Sequence, residues 1–359
     1  MKQYGQDHEP DVEWLHALVA DWQVIADLSF ADLVLWISDG KKGFIAAGHA
    51  RPSSAATVFY RDITGKNVEK AWASLVSKAF STGEIVEYGE PDVYQGVPAR
   101  LSAVPVFRRL NVNSGDDVTP RPIAVVTKHT NLGEAAAPNK TRINLSALGD
   151  KLLNMVADGS YPMFSAQSAP RRGAPRVNDG LLHLDANGAV VFSSPNGISA
   201  FQKLGVDGEL EGRSLVAITD ELNKGRLNVD ENLPMVVSGK VPWRADIEGN
   251  SSALSVRAIP IFEDGKRTGA ILLCRDVTEL RRQERELITK DATIREIHHR
   301  VKNNLQTVAS LLRIQGRRSK SPETLEALSD AGRRVAAIAV VHDSLSEGLA
   351  QDVNFDEVF

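Results

Sequence analysis

Apolar side chains recur every seven residues from Leu280 through Leu287, Ile294, Val301 and Val308, and His298, Leu305 and Leu312 form a second column, each four residues after a member of the first. A period of seven sustained over this length is the mark of a helix that buries a stripe against other helices. The two columns are expected to make one mostly apolar seam with His298 inside it. His299 shares its column with Arg285, Ala292, Gln306 and Arg313, which places it on the outward face, within reach of a nucleotide.

Histidine in that position suits phosphoryl acceptance. Its ordinary pKa of about 6.5 leaves much of the ring neutral near pH 7, with a lone pair free to attack phosphorus. Asn303 follows one turn later on the same face and could hydrogen-bond the ring or the incoming group. Arg300 and Lys302 add positive charge nearby. A histidine on a helix is ordinarily a solvated or packed side chain, but here it stands among groups that could hold a phosphoryl.

The segment from His299 to Gln306, His-Arg-Val-Lys-Asn-Asn-Leu-Gln, resembles at every position the box of the HisKA_2 family of sensor histidine kinases. That resemblance implies that His299 takes the γ-phosphoryl of ATP, with Mg2+, and passes it to an aspartate of a response regulator. His298 is the fallback acceptor.

The chain has 359 residues, 42% hydrophobic and 25% charged, enough for two or three units with their own cores. No apolar run is long enough to cross a bilayer, and the start carries Asp7, Glu9, Asp11 and Glu13 rather than a basic-then-apolar leader. A cytosolic protein without a membrane partner is expected. The single cysteine, Cys274, excludes an internal disulfide and a Cys-rich zinc site. A net charge of −4 offers no global attraction to nucleic acid.

Residues 1–157 read as one α/β unit. A helix carries Trp14, Leu15, Leu18, Val19 and Trp22; strands are expected at Leu33–Ile37, Phe44–Ala47, Leu101–Phe107 and Ile123–Lys128, with a polar loop from Asn111 to Pro122. Helices are expected over Val68–Phe80, broken by Ser81-Thr-Gly-Glu, and over Ile143–Val156. This order, with the turn at Gly83–Val86, resembles a GAF domain.

Residues 158–176 are expected to form a linker, because Ser165–Arg176 holds Pro170, Gly173, Pro175 and three arginines without apolar periodicity. A second unit, 177–279, opens with two apolar runs around Asn187-Gly188, a hairpin signal. A helical stretch leads to Gly212, and strands follow at Ser255–Phe262 and Gly269–Cys274 around the turn Glu263-Asp-Gly-Lys266. This unit resembles a PAS domain, and Arg275-Asp-Val-Thr-Glu279 resembles the exit from PAS sheets into a signalling helix. Asp276 and Thr278 are expected to cap or lock that junction.

Neither sensor unit reveals a ligand, although each could take a small molecule. His183, on a strand, is expected to be packed rather than a haem or metal ligand. Cys274 lacks the motif of a flavin-adduct cysteine, which disfavours light sensing.

Helix is expected from Leu280 to about Arg318, a break at Ser319–Pro322, and a second helix with Leu325, Leu328, Val335, Ile338, Val341, His342 and Leu345. Residues 280–320 hold eleven Lys/Arg against four Asp/Glu, and 321–359 hold two against eight, so the arms of this hairpin, 280–348, carry opposite charge. Two such hairpins would make a four-helix bundle in a homodimer. The fold class expected is therefore α+β sensor domains followed by a long helix and an antiparallel helical hairpin.

Two rival readings exist. Arg295, Arg300, Lys302, Arg313, Arg317 and Arg318 could form a nucleic-acid face, or the chain could be a dimeric scaffold without phosphotransfer. Neither explains the outward His299 with Asn303 one turn on. Residues 349–359 are expected to begin an ATP-binding domain whose remainder is missing, because the 60 residues after His299 hold no Gly-rich loop or Asn/Asp cluster for ATP and magnesium. The chain alone is then expected to be inactive.

Overall fold

The computed structural model describes residues 9–41, 43–110, 118–133, 139–163, 174–223, 230–249, 252–318 and 322–348. Residues 111–117 of the expected loop Asn111–Pro122, most of the expected linker and the segment 349–359 lie outside the described residues. The chain divides into two units, Met1–Thr278 and Glu279–Phe359.

The first domain begins with α1 (Glu9–Asp21), which buries Val12, Trp14, Leu15 and Leu18. The single helix expected through Trp22 is two: α1 ends at Asp21 and α2 (Gln23–Ser29) follows. Phe30, left-handed at φ 51°, ends α2. Strands β1 (Ala31–Ser38), β2 (Phe44–Ala50), β3 (Val86–Glu87), β4 (Asp92–Tyr94), β5 (Val97–Val106) and β6 (Ala124–Asn131) make an antiparallel sheet ordered β2-β1-β6-β5-β3, with β4 also on β5.

Both faces of this sheet are covered, which is why β1 is apolar almost throughout rather than alternating. Val34 and Trp36 meet Trp72, Leu75 and Val76 of α3 (Lys70–Thr82). Leu33 and Leu35, on the opposite face, join Leu15, Leu28, Leu148 and Leu152 from α1, α2 and α4 (Lys140–Ala157). Gly83, at φ 70°, stops α3 in the conformation that glycine adopts most cheaply.

The second domain contains β7 (Leu181–Asp185), β8 (Val190–Ser193), α5 (Pro195–Leu204), α6 (Leu215–Asn223), α7 (Leu233–Val237), β9 (Arg244–Glu248), β10 (Ala253–Glu263) and β11 (Lys266–Asp276). The sheet order is β8-β7-β11-β10-β9. The Asn187-Gly188 hairpin forms as expected, with Gly188 at φ 81° and the Asp185 carboxylate accepting the amides of Asn187 and Ala189, each at 2.8 Å. Ser194 caps α5 through the amide of Gly197 at 3.2 Å.

The two sensor domains share one continuous core. Ile259, Ile261, Ile271 and Leu273, on the outer face of the second sheet, pack in the same cluster as α1, α2 and α4. Tyr161 and Pro175, at the two ends of the expected linker, are buried rather than exposed. Polar contacts cross the same seam: Arg257 of β10 donates to Asp21 at 2.5 Å, the Tyr161 hydroxyl to the same carboxylate at 2.7 Å, and Lys151 pairs with Glu263 at 2.8 Å.

From its second residue on, α8 (Thr278–Arg318) lies in the second unit with α9 (Pro322–Gly348), and the two are the helical hairpin that the periodicity implied. The side chains of Val341, His342 and Leu345 lie outside the described residues.

Candidate functional site: the histidine box on α8

The two seven-spaced columns are buried unequally and meet at the box, where Val301 is half-buried beside His298 and Leu305. His298, Lys302, Leu305 and Leu312 are half-buried, and Ala309 and Gly316 are buried, so this stripe faces α9, where Leu328, Ala331, Gly332 and Val335 are half-buried. Glycine sets the approach: a Cβ on Gly332 would sit 3.8 Å from the Ala309 carbonyl oxygen, and one on Gly316 would sit 3.7 Å from the Leu328 Cβ. The other column is covered unevenly: Leu280 and Val301 are half-buried, whereas Leu287 at 61%, Ile294 at 44% and Val308 at 45% are exposed. The physical reason is angular. Residues four apart on a helix are about 40° out of register, enough for two columns to serve two different neighbours.

His299 is exposed and His298 half-buried, as their columns implied. Arg300 donates to the Glu296 carboxylate one turn earlier at 2.5 Å, although its side chain is 75% exposed. Lys302 is half-buried, and its side chain has an interaction partner. Asn303 is exposed, its carbonyl accepting the Thr307 hydroxyl at 2.9 Å. Among the described residues no hydrogen bond joins the Asn303 amide to the His299 ring. The box therefore presents an open imidazole with an unengaged carboxamide one turn on and a guanidinium tethered by its own carboxylate.

At the junction that starts this helix, the Asp276 carboxylate accepts the Thr278 amide and hydroxyl and the Lys203 ammonium. Burial raises the Asp276 pKa, but these donors outweigh it and hold the carboxyl below its ordinary range.

The sensor domains contain polar groups that the sequence reading passed over. Asp32, wholly buried on β1, accepts the Thr57 hydroxyl and the Val58 amide, each at 2.6 Å, and faces His49 Nε2 at 3.2 Å. His129 on β6 is wholly buried against Phe59 and Trp72, its Nε2 2.8 Å from the Thr127 hydroxyl, which also accepts Trp36 Nε1. Burial pushes its imidazole down to about 3, so the ring is neutral. A charged residue inside an apolar strand, as in Ala31-Asp-Leu-Val, was the available signal.

His183 is half-buried on β7, and burial lowers its pKa. Among the described residues no group of three or more His, Cys, Asp or Glu could hold a metal. Cys274 is buried and its thiol pushed up to about 12, which keeps it protonated and unreactive. No described helix is long and apolar enough to cross a membrane.

Three segments match known families. Residues 2–148 match "Histidine kinase PdtaS, GAF domain", residues 175–282 match "PAS fold", and residues 296–359 match HisKA_2, "Histidine kinase". The sensor histidine kinase PdtaS of Mycolicibacterium smegmatis is 40% identical over 354 residues, which cover 97% of this chain and 68% of that protein. PdtaS of Mycobacterium tuberculosis is 39% identical over 356 residues, covering 97% of this chain and 69% of that one. Among solved structures, the sensor region of a sensor histidine kinase superposes with a TM-score of 0.63 at 26% identity, covering 78% of this chain and 97% of the other.

Proposed function

The chain belongs to the PdtaS family of sensor histidine kinases, and we propose that His299 is its phosphoacceptor. The observation that carries this reading is an exposed His299 beside a half-buried His298, inside the segment matched to the histidine kinase family. An acceptor must meet its donor in line and without a covering side chain. The exposed ring meets that requirement and the half-buried one does not.

In this reading ATP with Mg2+ is the donor, held by an ATP-binding domain outside the described residues. The neutral His299 nitrogen attacks the γ-phosphorus, ADP leaves, and the ring proton passes to solvent. Asn303 donates its amide to the transferred group, and Arg300, released from Glu296, supplies positive charge as the phosphoryl arrives. Lys302 adds positive charge to the same helix. An aspartate of a response regulator then takes the phosphoryl group. The protein works in the cytosol as a homodimer, and its GAF and PAS domains set the activity.

The test is labelling. Incubated with ATP, Mg2+ and the ATP-binding region of a PdtaS relative, the chain should acquire acid-labile, base-stable label. His299→Ala should lose it with unchanged helical circular dichroism. His298→Ala should keep the label and lose hairpin stability. Label retained by His299→Ala would assign the acceptor elsewhere.

A further inference from the structure

A cavity of about 200 Å3 opens at the seam between the GAF and PAS domains. Trp14 of α1, Met163 beyond α4, and Pro260 and Phe262 of β10 give it apolar walls, while Arg109 and Lys240 supply its charges. Among the described residues no carboxylate lines it. This sets it apart from the rest of the seam, where Arg257 pairs with Asp21 at 2.5 Å and Lys151 with Glu263 at 2.8 Å.

Arg109 has the less comfortable position. Its Nε is buried and has no hydrogen-bond acceptor. A buried guanidinium N–H without an acceptor is unfavourable, and two cations facing one cavity repel each other. An anion relieves both. At about 200 Å3 and open on one side, the cleft is on the scale of a small organic ion. The apolar walls favour a compact, flat body over a bare inorganic ion.

We propose that this cavity binds a small organic anion, its acidic head held by Arg109 and Lys240 and its apolar body against Trp14, Met163 and Phe262. The two cations come from different domains, Arg109 from GAF and Lys240 from PAS, so the bound ion is a bridge. Occupancy then stabilises the seam by linkage and couples whatever changes the domain packing to the ion's concentration.

Benzoate is the probe, titrated into the full chain by calorimetry and by Trp fluorescence, with Trp14→Phe locating the signal. Benzamide has the same shape without charge, and inorganic phosphate has the charge without the apolar body. Benzoate should bind saturably, with benzamide and phosphate each at least about tenfold weaker, the loss expected when a charge-assisted pair or an apolar contact is removed. Lys240 is exposed, so Lys240→Met should fold normally and weaken benzoate about fivefold or more. Arg109→Met should weaken it further. No saturable benzoate binding, equal binding of benzamide or of phosphate, or unchanged binding in Lys240→Met would overturn the proposal.

Discussion

The Asp276 carboxylate accepts two hydrogen bonds from Thr278, the amide at 3.0 Å and the hydroxyl at 2.6 Å. The same hydroxyl accepts the Ala253 amide at 3.0 Å, and the Val277 amide donates to the Ala253 carbonyl at 2.9 Å. The first residue of α8 is thus tied to the last residue of β11 and to the start of β10. The helix that carries the histidine box is therefore rooted by hydrogen bonds on the PAS sheet at Ala253.

Thr278→Val keeps the shape and removes the hydroxyl, leaving the buried-side Ala253 amide without its acceptor. A cost of about 1 kcal/mol is expected in urea denaturation, with faster hydrogen exchange confined to Ala253 and the first turn of α8. Asp276→Asn should do less, because an amide oxygen still accepts. Asp276 has a depressed folded pKa, so its contribution is present above the ordinary carboxylate range and fades as pH falls through the folded value. Exchange that rises uniformly along α8 would instead indicate that the junction has no local role.

At the seam, Asp21 and Arg257 are mostly buried, with side-chain exposures of 22% and 17%. Burial opposes ionisation of Asp21, but Arg257 and the Tyr161 hydroxyl outweigh it and hold the carboxyl below its ordinary range. Arg257→Met leaves that carboxylate with one donor fewer in a dry seam, and about 2 kcal/mol of stability should go, below the loss for a fully buried pair. Asp21→Asn in the same background should restore part of it. A double-mutant cycle with no coupling would sink this account.

The hairpin and the order of most strands were legible in the sequence because their signals are local: a seven-residue period, Asn187-Gly188, and Gly83 after an amphipathic run. The shared core of the two sensor domains was not. Ile259, Ile261, Ile271 and Leu273 read as an ordinary strand face, and nothing in them says that the partner is α4 of another domain. The box shows the same division. The columns of His298 and His299 followed from spacing alone, whereas which members of each column would be covered depended on where α9 packs. The short elements β3, β4, β9, α6 and α7 carry too few residues for a period to register.

His129 gives the GAF domain a pH dependence of known sign. Its folded pKa of about 3 lies below the ordinary value for an unfolded chain. Between those values the unfolded state binds the extra proton, so stability falls as pH drops from about 6.5 toward 3, by at most about 1.4 kcal/mol per pH unit. Above that window the contribution is constant. His129→Gln cannot titrate, so its stability should decline less than wild type between pH 7 and pH 5 in urea melts. Parallel declines would show that the imidazole is protonated in the fold.

The exposed column on α8 implies an association that a single chain leaves unmet. Leu287, Ile294 and Val308 repeat at the spacing of a coiled-coil seam, while α9 takes the neighbouring stripe through Leu305, Ala309 and Leu312. A second copy brings an identical column, and an isologous pairing buries both. Light scattering at micromolar concentration should give twice the chain mass. Ile294→Lys with Val308→Lys places charges in that column and should yield a monomer whose hairpin keeps its helical circular dichroism. Leu305→Lys strikes the other stripe and should instead unfold the hairpin. If the Ile294/Val308 variant stays dimeric while Leu305→Lys dissociates without unfolding, the assignment of the two columns is reversed.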